Sequence, residues 1–193
     1  MCGAVRGDAS QHLGMRFFGL GFRGLVFGSV LSLSAAIGGR ARAELVASPP
    51  CTAGETYVHV RTQEHTLYLC EKGQTHASYA VTLGSAPGAK QRQGDRRTPL
   101  GRYRLNAPRR SDKFGWFVGV GYPTPEQRAR GYTGSAVGIH GPPRKLARLG
   151  VRVPDFILAM NWTDCCVAVG SDPEIEAIVE WLKRSKARTI VIE

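Results

Sequence analysis

The pattern of apolar and polar positions along this chain changes character twice. Residues 24–37 form an apolar run broken by Gly and Ser; from Tyr57 the period is two, and near the C-terminus it becomes helical. Tyr57, Val58 and Val60 give a first short strand, and Thr66-Leu67-Tyr68-Leu69-Cys70 alternates as a half-buried strand does. Glu71-Lys72-Gly73-Gln74 reads as a hairpin turn that returns through residues 78–83. Residues 98–105 follow, with Pro99 confined to a strand's start or edge. Residues 114–120 and 136–139 are further strand candidates, the latter delivering His140 to a Gly-Pro-Pro break. Beyond Val167-Ala168-Val169, the residues Ile175, Ile178, Val179 and Leu182 recur at i, i+3, i+4 and i+7, the stripe of a core-facing helix. Asp172 is its expected N-cap with Pro173 at N1, and Ser171 and Glu174 stand at capping-box spacing. Lys183, Arg184 and Lys186 suit the negative end of its dipole. Thr189-Ile190-Val191-Ile192 closes as a strand. Many short strands and one substantial helix in the C-terminal half predict a mainly β domain, a β-sandwich or partly closed barrel.

Between these elements lie segments without apolar period. Residues 84–97 form a long loop rich in Gly and charge, residues 106–113 a second, and residues 122–135 a Pro-, Gly- and Arg-rich lid or surface loop. Residues 145–149 fit one or two helical turns, while residues 151–160 are apolar but broken by Pro154. Residues 44–56 read as a linker that Pro49-Pro50 keeps extended.

Residues 1–43 have the form of an export signal: Arg16 and Arg23 precede the apolar run, and Ala41-Arg42-Ala43 fits a small-x-small cleavage site. Residues 1–14 lack that character, which leaves Met15 as an alternative start. The apolar run is too short and interrupted for a membrane span of about 20 residues, so no stable span is expected after cleavage. The expectation is an exported protein of the periplasm or cell envelope, with residues 57–193 as one domain. The signal carries five Arg and one Asp, so its removal lowers the net charge from +11 to +7. Export disfavours nucleic acid as the partner of this basic chain and favours anionic envelope polymers, or a solvated basic surface. Of five cysteines, Cys51 and Cys70 could pair in an oxidising compartment. Scattered histidines and the lack of paired Cys-x-x-Cys motifs argue against a structural metal, and no cofactor is expected.

The candidate chemistry lies in Asn161-Trp162-Thr163-Asp164-Cys165-Cys166-Val167-Ala168-Val169 and in Ile139-His140-Gly141. A thiol and an imidazole at two strand ends are what a cysteine nucleophile and its base require. Taken alone, each is more often an inert buried thiol or a satisfied histidine. Together these motifs, with Gly94-Asp95-Arg96-Arg97-Thr98-Pro99-Leu100-Gly101-Arg102-Tyr103 and residues 135–141, resemble the L,D-transpeptidase catalytic domain (YkuD/ErfK type), over residues 57–193. The resemblance implies a cysteine acyltransferase of peptidoglycan and cell-wall biogenesis, linked to cell shape. Cys166 would be the nucleophile and His140 the general base and acid. A peptidoglycan stem peptide would be held as a thioester and passed to an amine. Backbone N–H groups at Cys165 and Cys166 would meet the oxyanion, with Tyr122 as a further donor and Gly141, Thr163 and Asp164 in support. Asp164 is expected mainly to shape the turn, and Arg128 and Arg130 of the lid to meet the stem's carboxylates. The rival outcomes are hydrolysis, as in an L,D-carboxypeptidase, and a weakened peptidoglycan-binding module.

Two departures from the family pattern stand out. Cys165 occupies a position where the family has Gly; a left-handed backbone there would be strained by a side chain, and a second thiol would lie open to vicinal disulfide formation. The separation of His140 from Cys166 is also long, with extra residues at about 151–155, which predicts an enlarged flap over the site.

Overall fold

The computed structural model describes residues 49–193. The expected export signal and the first part of the linker lie outside the described residues. Nine strands form one mainly antiparallel sheet that curls into a half-barrel: β1 (Tyr57–Arg61), β2 (Thr66–Glu71), β3 (Gln74–Thr82), β4 (Gly101–Arg104), β5 (Arg109–Ser111), β6 (Gly115–Gly119), β7 (Gly138–His140), β8 (Val167–Val169) and β9 (Thr189–Ile192), in the order β4-β9-β1-β2-β3-β8-β7-β6-β5. Among the described residues, the strand pairs β1–β9 and β7–β8 are parallel and the rest antiparallel. The β2–β3 turn is tight because Lys72 and Gly73 both have positive φ, at 52° and 85°, the twist a two-residue hairpin favours.

The curl appears where the chain leaves β4. Leu105 bridges Val120, Asn106 N–H donates to the Gly119 carbonyl and Gly121 N–H to that of Arg104, each at 2.8 Å. The end of β4 is thereby brought beside the end of β6, although nine strands order the two apart. The concave side is filled by alternate strand residues, among them Val58, Val60, Leu67, Leu69 and Ile190, and by the expected helix α4 (Asp172–Ser185). Ile175, Ile178, Val179 and Leu182 of its stripe are all buried. Its N-cap is Ser171, whose Oγ accepts from Glu174 N–H; the expected cap, Asp172, is already helical, so the cap lies one residue earlier than expected. Lys186 stops the helix in the left-handed conformation, φ 59°.

The described residues also hold three short helices: α1 (Pro125–Ala129), α2 (Arg144–Ala147) and α3 (Asp155–Leu158). The lid, expected as loop, contains α1 because Thr124 and Gln127 make a reciprocal capping box with Pro125 in the first turn. Pro154, expected to break apolar packing, instead begins α3, where a missing N–H costs nothing. β5 lies within the expected loop 106–113, as an edge strand too short and basic to show alternation. Cys51 and Cys70 form a disulfide that ties residues 49–56 to β2, so this part of the supposed linker is bound to the domain. His59 adds a second tie there, its Nδ1 meeting the Pro50 carbonyl and its Nε2 the Glu193 carboxylate at 2.9 Å. Among the described residues no helix is long and apolar enough to cross a membrane.

Candidate active site

Cys166 and His140 come from adjacent parallel strands. β7 and β8 pair with Ile139 opposite Val167 and His140 opposite Ala168. Paired residues share a face, and so do alternate residues on one strand. Cys166, two before Ala168, therefore lies on the face that carries His140, while Ile139 and Val167 point fully buried into the other.

A row of paired residues crosses the sheet through His140: Arg109 on β5, Phe117 on β6, His140, Ala168 on β8 and Thr82 on β3. The imidazole is stacked on Phe114, with ring centroids 3.8 Å apart, and lies nearly parallel to Phe117 at 6.2 Å. Arg109 caps Phe117 from beyond, 4.8 Å from its ring centre. Gly138 makes this possible, since a Cβ there would fall 2.3 Å from Phe117 Cζ. Gly141 serves a second approach: a Cβ would meet Ile175 Cγ2 at 2.9 Å and Asp172 Oδ1 at 3.2 Å, so the first turn of α4 sits against the turn that follows His140.

Burial favours the uncharged form of both the His140 and the Cys166 side chains. His140 is 3% exposed, and burial lowers its pKa from the ordinary 6.5 to about 4, against the opposing effect of its bond to Gly141. That bond, Nδ1 to the Gly141 carbonyl at 2.6 Å, places the proton on Nδ1 and leaves Nε2 with a lone pair, as a general base needs. Cys166 is a free thiol, and burial pushes it up to about 11. The Gly138 N–H and the Lys90 charge act to lower that value, and the Asp164 charge to raise it further. The thiol donates to the Ala136 carbonyl at 3.5 Å. Ala136 has a positive φ of 58°, a strained conformation for a residue with a side chain, at the point where the lid meets the thiol.

Thr163 anchors the cysteine motif. Its Oγ1 donates to the Cys166 carbonyl at 2.7 Å, its N–H to Leu83, and its carbonyl accepts from Ser85. Asp164 is half-buried and acts on the thiol through its charge. Cys165 is fully buried and is not among the left-handed residues, so the strain foreseen at that position is absent. Because Cys166 is free, no vicinal disulfide joins the pair. Tyr122 is buried and its hydroxyl donates to the Lys90 carbonyl at 3.1 Å, which commits that proton to the 84–97 loop rather than to an oxyanion. Arg128 and Arg130 are exposed on the lid, and Arg130 lies over the Tyr132 ring at 5.6 Å. The segment expected as a flap over the site is moored elsewhere: Val153 N–H donates to Gly170, beyond the end of β8 opposite Cys166, and Arg152 pairs with Glu174.

Sequence reasoning missed the aromatic pair that holds His140, having read residues 114–120 only as a strand. It also missed Lys90, buried in the charge-rich loop; the signal was Asp95, in a quoted motif five residues on, with which it pairs at 2.7 Å. Among the described residues, no group of three or more His, Cys, Asp or Glu is placed to hold a metal ion.

The curled β-sheet thus carries a free cysteine and a histidine on one face at the ends of adjacent parallel strands, the pair of groups that thiol-based nucleophilic chemistry requires. The L,D-transpeptidase catalytic domain family profile matches residues 55–192, and the chain belongs to that family. It is similar to YafK of Escherichia coli (strain K12), a presumptive L,D-transpeptidase, at 34% identity over 92 residues, covering 44% of this chain and 37% of YafK. The helical cell shape determining protein Pgp2 of Campylobacter jejuni has a similar fold, with a TM-score of 0.58 at 21% identity, covering 76% of this chain and 51% of Pgp2. Its K307A mutant superposes with a TM-score of 0.56 at 21% identity, over 74% of this chain and 48% of that one. The matches thus span about a third of YafK and half of Pgp2.

Proposed function

We propose that this domain is a peptidoglycan L,D-transpeptidase in which Cys166 is the nucleophile and His140 its general base and acid. The observation that carries the reading is the β7–β8 register, which sets the two side chains on one face, with the Nδ1–Gly141 bond leaving Nε2 unprotonated. The thiol gives its proton to Nε2 and sulfur attacks the carbonyl that precedes the terminal D-residue of a stem peptide. The tetrahedral oxyanion is met by the backbone N–H groups of Cys165 and Cys166. Collapse breaks the C–N bond, the leaving amine takes the proton from His140, and the acyl group remains as a thioester. An acceptor amine then attacks, loses its proton to Nε2, and expels the thiolate, which is reprotonated.

The resting site is a neutral pair, and magnitudes show what substrate must add. Moving the proton from a thiol at about 11 to an imidazole at about 4 is uphill by at most about 10 kcal/mol, the attraction within the resulting ion pair lowering that cost. A turnover of about 10 per second allows a total barrier of about 16 kcal/mol. The resting pair is therefore predominantly neutral, and the cost of the ion pair is part of the reaction barrier. Exported action on the cell wall, with Arg128 and Arg130 meeting the stem's carboxylates, completes the reading.

The test is incubation with a purified disaccharide-tetrapeptide. The expected products are a cross-linked dimer and an acyl adduct on Cys166, both lost in Cys166→Ala. Tripeptide alone would assign the hydrolytic outcome. Neither product from a folded chain that still binds sacculi would replace the enzyme reading with a binding module.

A further inference from the structure

Lys90 is a charged side chain with no place in the reaction just described, yet it is only 1% exposed. Its ammonium donates to Asp95 Oδ1 at 2.7 Å and to the Arg92 carbonyl at 2.9 Å. Asp95 is tied in turn by the backbone N–H groups of Gln91, Arg92 and Arg97, at 2.8, 2.9 and 3.2 Å. A buried charge is costly unless held in this manner, so the loop is built around the pair.

The loop then grips the lid. Thr133 N–H donates to the Gln91 carbonyl, Gln93 N–H to Thr133 Oγ1, and the Tyr122 hydroxyl to the Lys90 carbonyl. Gly134, at φ 103°, leaves so little room that a Cβ would lie 3.2 Å from Lys90 Cε. Two residues on is Ala136, whose carbonyl takes the Cys166 thiol proton. The Lys90 ammonium lies 6.0 Å from the Tyr122 ring centre, and its charge acts to lower the pKa of Cys166. The charged and titratable groups about that thiol are then Lys90 from the loop, Asp164 from its own segment and His140 from β7.

We propose that Lys90, fixed by Asp95, is a positioning residue of the Cys166 centre: it seats the 131–136 segment against the thiol and turns a positive charge toward the sulfur. Formation of the thiolate, and of any anion beside it, is favoured by that charge. The inference rests on the reading of Cys166 as the reactive thiol, but its test does not need turnover.

The test compares alkylation of Cys166 by iodoacetate, an anion, and iodoacetamide, its neutral counterpart of similar size, followed by mass spectrometry. A positive charge at the sulfur speeds the anion relative to the amide, whereas a change in access or thiolate fraction moves both rates together. In Lys90→Met the iodoacetate-to-iodoacetamide ratio should fall about threefold or more, and Lys90→Arg should restore it. Lys90→Met/Asp95→Asn, which leaves no unpaired buried charge, should show the same fall if the single variant unfolds. An unchanged ratio in a folded Lys90→Met or double variant overturns the inference, as does loss of folding in both, which would make the pair scaffold alone. A wild-type Cys166 that resists both reagents in the folded chain removes the reactive-thiol reading itself. A normal ratio change without any product from stem peptide keeps this inference and sinks the proposed reaction.

Discussion

The buried, neutral state of His140 makes a prediction about stability that requires no substrate. The unfolded chain binds a proton on this imidazole near pH 6.5, but the folded chain resists it until about pH 4. As pH falls through that window the unfolded state gains protons first, so stability contributed by the neutral buried ring is complete above 6.5 and drains away toward 4. The full loss is about 3 kcal/mol, of which about 2 kcal/mol should be gone at pH 5. Asp95 does not blur this window. Burial opposes its ionised form, but Lys90 and three backbone N–H groups outweigh that and hold it at about 2, so its share is lost only below the ordinary 3.8. The assay is urea denaturation of wild type and His140→Gln at several pH values between 7 and 4.5, compared by slope, since the substitution has its own fixed cost. Wild type should lose about 2 kcal/mol more than the variant between pH 7 and pH 5. Parallel losses in the two chains would show that His140 is not held neutral by burial, and the base assigned to the site would lose its physical support. The same value places the acidic limb of kcat/KM near pH 4, well below an ordinary histidine.

Three further outcomes follow from the packing. Thr163→Val removes the hydroxyl that donates to the buried Cys166 carbonyl and should cost about 1–3 kcal/mol by chemical denaturation; a cost near zero would mean that the bond anchors nothing. Gly138→Ala forces a Cβ into the Phe117 ring, for about 1–3 kcal/mol, and adding Phe117→Leu should recover part of it; a double variant that costs as much as the two singles together, or more, would refute the clash. Replacing Cys51 and Cys70 together by Ala opens a disulfide across a sequence separation of 19 and should lower stability by about 3 kcal/mol, read from urea midpoints against an oxidised wild type.

The strands that were legible in the sequence are those whose two faces differ in solvent. β2 alternates buried and half-exposed positions, and α4 has one buried stripe, so both announce themselves by period. β5 and α1 do not, because an edge strand of three polar residues and a surface helix with no buried residue have no apolar face to display. For α1 the local signal was nonetheless present in Thr124, Pro125 and Gln127. The site divides in the same manner. The adjacency of His140 and Cys166 followed from motif resemblance, whereas the supports of His140 depend on cross-strand register, which no linear pattern between residues 114 and 140 encodes. Lys90 was hidden for a different reason: its charge marks it as exposed, and only the distant closure of the lid buries it.

The same register explains how the thiol is approached. Two residues along from the His140 row, Gly119 pairs with Gly138, and continuing the β7–β8 pairing puts Cys166 next to Gly138. Two glycines beside the thiol suggest an open slot, but neighbours lean into both positions. The Phe117 ring lies over Gly138, and Asn106 Nδ2 stands 2.8 Å from where a Gly119 Cβ would be. The sheet side of the thiol is therefore closed by Asn106 and by Phe117, and moving Phe117 would disturb the imidazole that lies parallel to it. On the other side the thiol faces the Ala136 carbonyl, which belongs to a segment with three left-handed residues, Gly131, Gly134 and Ala136, in six. An attacked carbonyl has to come within about 3.5 Å of the sulfur, and the side that can yield without displacing the imidazole is this one. In the proposed reaction, substrate entry and loss of the thiol–Ala136 bond would then be one event, freeing the thiol proton to turn toward Nε2.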